Sequence, residues 1–231
     1  MKLASPQNND LTGNGVVIDG FELLHADASL LVLNKPAGLL SVPGKGDDKQ
    51  DCLSTRVQQA FPDALIVHRL DMATSGLMVM ARGLEMQRKL SHAFAERKVY
   101  KLYEAVVQGA VPELSGDGWG VIDLPIAVDW PNRPLRIIDT ALGKASTTRW
   151  RVLSHDKDAD NTRMQLEPLT GRSHQLRVHM QALGHPILGD MLYAPPDVQA
   201  RSDRLLLHAR VLQLVHPASG LSLRFESPAP F

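Results

Sequence analysis

The stretch Val67–Arg82, VHRLDMATSGLMVMAR, reads as an extended segment, a tight polar loop and a strand. In extended backbone successive side chains alternate, so Arg69 and Asp71 face one way and Leu70 the other. Leu70 then anchors the loop in a core and leaves a cation and a carboxylate displayed together. Thr74 and Ser75 can bond the loop backbone, and Gly76 permits a sharp exit into the strand Gly76–Ala81. Read alone, the same residues also describe a turn aspartate with a surface arginine beside it.

Outward from this loop, short β-branched apolar runs recur, punctuated by Gly, Pro and Asp. Val16–Ile18, Leu30–Leu33, Ala64–His68, Tyr100–Val107, Thr147–Leu153, Arg163–Glu167, Leu205–Val215 and Leu221–Phe225 are predicted strands. Helical spacing appears in Leu84–Arg97, where Met86, Leu90, Ala93 and Phe94 form one stripe. It appears again in Ser173–Leu183, with Leu176, Met180 and Leu183 in line, Ser173 as N-cap and Gly184 as the stop. A further helix is predicted over Ser54–Ala60. No βαβ alternation or internal repeat is present, and the expected class is a mainly antiparallel α+β fold. The stretch Ala110–Gly120 reads as a loop rather than a domain boundary.

Lys and Arg total 25, as do Asp and Glu, so net charge is zero and bulk attraction to nucleic acid is not expected. The charges are uneven: residues 82–101 carry six Lys/Arg against two acids, and residues 133–177 nine against five. That allows a local basic cleft, although ordinary surface variation also produces such asymmetry. No apolar run is long enough to span a membrane. Residues 1–15 are polar and turn-rich and are expected to form a disordered tail rather than a secretory signal. A single cysteine, Cys52, excludes an internal disulfide and fits a reducing, cytoplasmic setting.

There is no glycine-rich phosphate loop of the Walker or dinucleotide type and no G-x-S-x-G turn. His174 and His179 diverge by about 140° on a helix, which argues against a metal site. Two other stretches invite a functional reading. In Thr170–Asp190, TGRSHQLRVHMQALGHPILGD, Arg172 sits at a helix start, where it opposes the helix dipole unless an acid or phosphate pairs with it. A solvated arginine fits equally well, and Arg177 can lie on either face. In Val99–Gly109, VYKLYEAVVQG, Lys101 and Tyr103 share a strand face, where a tyrosine more often packs than reacts.

Together these stretches resemble the RluA family of pseudouridine synthases. HRLDMATSG is similar to its H-R-L-D-x-x-T-S-G signature, VYKLYEAVVQG to its K-x-Y-x-A strand, and TGRSHQLRVHMQALGHPILGD to its G-R-x-H-Q helix with G-H-P-[IL]-x-G-D. VLNKPAGLLSVPG (Val32–Gly44) matches the N-K-P-x-G opening, and LLLHARVLQLVHP (Leu205–Pro217) the late L-H-A…H-P strand. The DLPIAVDWPNRP stretch, Asp123–Pro134, points to the branch that modifies uridines in a 23S rRNA stem-loop and in the tRNA anticodon loop.

The resemblance implies one catalytic domain over residues 16–231, without an S4-like RNA-binding domain, on a long, bent, mainly antiparallel sheet with flanking helices and a central active cleft. It makes Asp71 the catalytic carboxylate. Pseudouridine formation breaks N1–C1′ and joins C5 to C1′ with all atoms retained, so no cofactor or metal is called for. Attack at C1′ or at C6 needs an ionised carboxylate; a nearby guanidinium favours that form, a role that falls to Arg172. Tyr103 would stack under the uracil and take the C5 proton, although water or Asp71 could do the latter. Arg69 would fill the gap left by the extruded base, and Lys101 and Arg177 would hold RNA phosphates. RNA is the expected partner, with a monomeric protein.

Overall fold

The structure, a computed structural model, describes residues 15–231. The expected tail therefore lies outside the described residues, apart from Gly15. The chain divides into two compact units, Met1–Tyr100 with Leu212–Ser227, and Lys101–Val211 with Pro228–Phe231.

In the first unit, β1 (Val16–Ile18) pairs with β2 (Phe21–Ala26), β2 with β3 (Leu30–Lys35), and β3 with β5 (Ser75–Arg82), all antiparallel. Helix α1 (Leu53–Ala60) leads into β4 (Ala64–Ile66), which pairs antiparallel with β5. Strand β5 is buried from Ser75 to Ala81, which explains why its sequence is continuously apolar instead of alternating. Helix α2 (Gly83–Ala95) lays the expected stripe of Met86, Leu90, Ala93 and Phe94 against Leu30, Val32, Leu77 and Val79.

The second unit holds β6 (Tyr100–Gln108, from Lys101 on), β7 (Gly120–Asp123), β8 (Ile126–Val128), β9 (Arg136–Ile138), β10 (Thr147–Asp156) and β11 (Asn161–Pro168). Antiparallel pairing runs β6–β11–β10–β7, while β8 and β9 form a separate hairpin. Helix α3 (Gln175–Ala182) begins one residue later than Ser173 as cap would require. His174 occupies the cap in a left-handed conformation (φ 59°) without a side-chain capping bond. The short helix α4 (Pro196–Gln199) packs Val198 with Val106, Leu188 and Ala194. Gly189 before it has no room for a side chain: an added Cβ would lie 1.9 Å from the Arg204 carbonyl oxygen. Strand β12 (Leu207–Val215) follows, and β13 (Ser222–Glu226) closes the first unit. The secondary structure is α+β with strands dominant, as the sequence predicts.

Candidate active site

Asp71 lies half-buried in the loop joining β4 to β5, with Arg69 exposed and Leu70 buried between them, the alternation read from the sequence. Five hydrogen bonds fix this loop. The Leu70 carbonyl accepts from Ser41 Oγ (2.7 Å), and the Leu70 N–H donates back to the same oxygen (3.1 Å). The Met72 carbonyl accepts from Lys35 Nζ (3.1 Å) and from the Gly38 N–H (2.9 Å). Within the loop, the Thr74 N–H donates to the Asp71 carbonyl (3.1 Å). Residues on both sides of Asp71 are thus held by the Lys35–Ser41 segment, and Gly38 reaches Met72 with a φ of 84° that glycine adopts without strain. At the loop's entry His68 accepts from the Val79 N–H (3.0 Å) and stacks on Phe94.

Lys35 and Ser41 were not among the expected site residues. The only signal for them is the string NKPAGLLS itself, because a lysine is rarely enclosed. Here Lys35 is fully buried, its ammonium also donating to the carbonyls of Pro36 (2.8 Å) and Leu39 (2.7 Å).

In the second unit, Lys101 and Tyr103 lie half-buried on one face of β6, and Glu104 points the other way. Burial pushes the Lys101 amine below its ordinary pKa. Glu104 bridges Arg163 and Arg210, so the strand's far face carries a closed ionic cluster. Arg172 is exposed in the turn before α3. Its N–H donates to Gln175 Oε1 (3.0 Å), and its Nε donates to the Ala145 carbonyl (3.3 Å). Gln175 is the knot of this turn: Oε1 also accepts from Thr170 Oγ1 (2.6 Å), while Nε2 donates to the Thr147 carbonyl and to Thr148 Oγ1 (both 3.0 Å). Thr148 passes the chain on, its hydroxyl donating to His179 Nδ1 (2.8 Å), whose Nε2 donates to the Leu124 carbonyl (3.0 Å). Burial pushes His179 below its ordinary pKa and favours the neutral ring that this arrangement needs.

The expectation that Arg177 holds RNA phosphates is corrected by its placement. It is 4% exposed and makes a two-pronged bond to Asp190 (2.8 and 2.6 Å), itself 1% exposed. Asp190 also accepts from the N–H groups of Leu192 and Tyr193, so the pair braces a loop. The histidines of the Thr170–Asp190 stretch have separate partners: His174 Nδ1 meets the Tyr193 hydroxyl (2.6 Å) and His185 Nδ1 the Gln108 carbonyl (2.8 Å), while His179 is held as above. Among the described residues no helix is long and apolar enough to cross a membrane.

A loop-borne carboxylate clamped through its neighbours, on an antiparallel α+β framework, suits chemistry at a single positioned carbon. Known proteins agree on the class. The model of the RNA pseudouridylate synthase family matches residues 29–182. The dual-specificity RNA pseudouridine synthase RluA of Escherichia coli (strain K12) is 49% identical over 210 residues, covering 90% of this chain and 93% of that protein. The protein of that name from Yersinia pestis is 48% identical over 209 residues, covering 90% and 99%. Among solved structures, Human RNA Pseudouridylate Synthase Domain Containing 1 superposes with a TM-score of 0.74 at 28% identity, covering 98% of this chain and 87% of that one. The chain belongs to the RNA pseudouridylate synthase family.

Proposed function

We propose that the protein isomerises specific uridines to pseudouridine in structured RNA, with Asp71 as the catalytic carboxylate. The observation that carries this reading is the clamp on Asp71, whose neighbours Leu70 and Met72 are both tied to the Lys35–Ser41 segment. A carboxylate that must meet one carbon of an extruded nucleotide gains from being held in place.

The carboxylate attacks C1′ of the ribose or C6 of the ring, N1–C1′ breaks, the base turns, and C5 joins C1′. The proton on C5 then leaves and N1 gains one, so nothing is oxidised or reduced and no cosubstrate is consumed. Arg172 supplies a guanidinium that supports the carboxylate's charge. Tyr103 stacks on the uracil. Arg69, exposed two residues before Asp71, fills the vacated stack, and Lys101 holds the RNA backbone. Stem-loops are the preferred substrates, because an unpaired base leaves its stack at lower cost than a paired one. The names of the bacterial relatives carry dual specificity, and the resemblance of the Asp123–Pro134 stretch supports a 23S rRNA stem-loop and the tRNA anticodon stem-loop as the two substrates of a monomer acting in the cytoplasm.

The test is RNA labelled with tritium at uracil C5. A synthase releases tritium to water with the strand intact, a hydrolase liberates base or fragments, and a binding protein does neither. Carbodiimide mapping of rRNA and tRNA from cells with and without the gene then identifies the substrates.

A further inference from the structure

The turn between β8 and β9 carries an arrangement that none of the preceding chemistry uses. Trp130 is 67% exposed although the guanidinium of Arg133 lies 3.5 Å from its ring centroid and covers one face. Most of its exposed surface therefore belongs to the other face and the edge. Among the described residues no hydrogen bond or ion pair engages the Arg133 guanidinium, and none engages the indole N–H. The nearest acid in sequence, Asp129, is committed to the turn, accepting from the Asn132 backbone (3.3 Å) and side-chain amide (3.0 Å).

The turn is built to hold still. Asp129 and Leu135 close it through backbone bonds, Asp129 N–H to Leu135 carbonyl and Leu135 N–H to Asn132 carbonyl, and Pro131 and Pro134 fix φ within it. Its outgoing strand is tied down where the Arg136 N–H donates to the Tyr193 hydroxyl (2.9 Å). That hydroxyl in turn meets Nδ1 of His174, two residues after Arg172, and the Tyr193 ring lies under Arg177. The protein's other Trp–Arg cluster differs. Trp119 is half-buried, and of the two arginines over it Arg149 is paired with Glu167 and Arg151 with Gln165. There the donors are already used; at Trp130 they are presented outward.

We infer that Trp130 and Arg133 form a platform for one unpaired nucleotide of the substrate RNA, the base stacking on the open indole face and a phosphate meeting the guanidinium. An aromatic ring backed by a cation is complementary to both parts of a nucleotide, and every base has a face to offer it. Because the turn is fixed beforehand, little order is lost on binding. The inference rests on the proposed function only for the identity of the RNA.

The test uses the full chain, the tritiated stem-loop RNA above, and three variants. Trp130→Ala should raise Kd and KM by roughly five- to a hundred-fold, the range that alanine substitution of a stacking aromatic produces on single strands. Its kcat at saturating RNA should stay the same, because the lost contact is made equally in ground and transition states. Trp130→Phe should restore most of the affinity but lose the part of the tryptophan fluorescence quenched by bound RNA. Arg133→Gln should weaken binding and flatten its salt dependence. Unchanged KM and quenching in a wild-type background that turns over normally would overturn the platform, and so would an effect seen on duplex and stem-loop alike. A wild-type protein that binds through Trp130 but releases no tritium would instead overturn the proposed function and leave the platform standing.

Discussion

The ammonium of Lys35 donates to the carbonyl of Met72 at 3.1 Å, tying the end of β3 to the residue that follows Asp71. The carbonyls of Pro36 and Leu39 also accept from this fully enclosed ammonium. Lys35→Met keeps the apolar stem and takes the ammonium from these oxygens, of which the Met72 carbonyl keeps the Gly38 N–H. Bonds to a charged donor are worth roughly 1.5–3 kcal/mol each, partly offset by relief of the buried charge, so a loss of about 2–4 kcal/mol is expected in urea unfolding. Turnover should fall as well, with RNA affinity retained. A variant as active and as stable as the wild type would show that this contact does not position the loop.

Asp71→Asn preserves shape but removes the carboxylate proposed as nucleophile. Tritium release should drop beyond roughly a thousand-fold, the scale on which removing a reacting group acts in other enzymes. Binding of the same stem-loop, read by fluorescence or filter retention, should be unaffected. Residual turnover within tenfold of the wild type would move catalysis elsewhere in the chain.

Gln175 is predicted to act through Arg172. Replacing it by Glu turns a donor pair facing the Thr147 carbonyl and Thr148 hydroxyl into acceptors, setting a carboxylate oxygen against the carbonyl, which keeps the Leu169 N–H. The expected cost is about 1–3 kcal/mol of stability, together with a fall in kcat as the turn loosens. If kcat follows only the folded fraction measured by circular dichroism, Gln175 is a structural residue and has no influence on Arg172.

These effects show where sequence reading stops. The Val67–Arg82 segment was legible because alternation, turn residues and an apolar run all describe the same local geometry. Helix α2 was legible because its stripe is local too. Strand β2 was missed because its buried and half-buried positions alternate while its residue types do not: His25 occupies an inward position, accommodated by Asp27, and Leu24 an outer one. The cap of α3 was misplaced because Gln175 and Tyr193, and not Ser173, satisfy the groups at that turn. Arg177 was misread because Asp190 lies 13 residues away, and spacing along a helix says nothing about an acid beyond its end. Lys35 ran against the strongest expectation for its residue type, because the carbonyls that accept from it come together only in the fold.

Asp27 makes stability depend on pH. Burial raises its pKa, but bonds from His25 (2.8 Å), the Ser29 and Leu30 backbone, and His216 (3.0 Å) outweigh that and lower it from 3.8 to about 2. A carboxylate whose folded pKa is depressed stabilises the protein above its unfolded value and loses that contribution as pH falls through the folded one. The wild type should therefore exceed Asp27→Asn by about 1–2 kcal/mol above pH 4, a figure reduced for partial solvent screening, and the gap should close toward pH 2. Guanidinium unfolding at stepped pH measures it. A gap that widened on acidification would reverse the sign and refute the assignment.

Arg177 and Arg69 should respond oppositely. Arg177 sits in an enclosed pair with Asp190, so Arg177→Met leaves a buried carboxylate uncompensated and should cost about 3–5 kcal/mol. The log–log dependence of RNA affinity on salt should not change in the folded fraction, because an arginine already neutralised by Asp190 releases no counterion from the nucleic acid. Arg69 is exposed beside Asp71, and Arg69→Gln should leave unfolding untouched. The proposed contact of Arg69 with one phosphate should account for about 0.7 of the slope on a single-stranded loop, and that amount should disappear in the variant. Denaturant melts and salt titrations of the two proteins separate the cases. A lost slope in Arg177→Met with an intact melt would return that residue to the RNA surface, against the placement of its guanidinium.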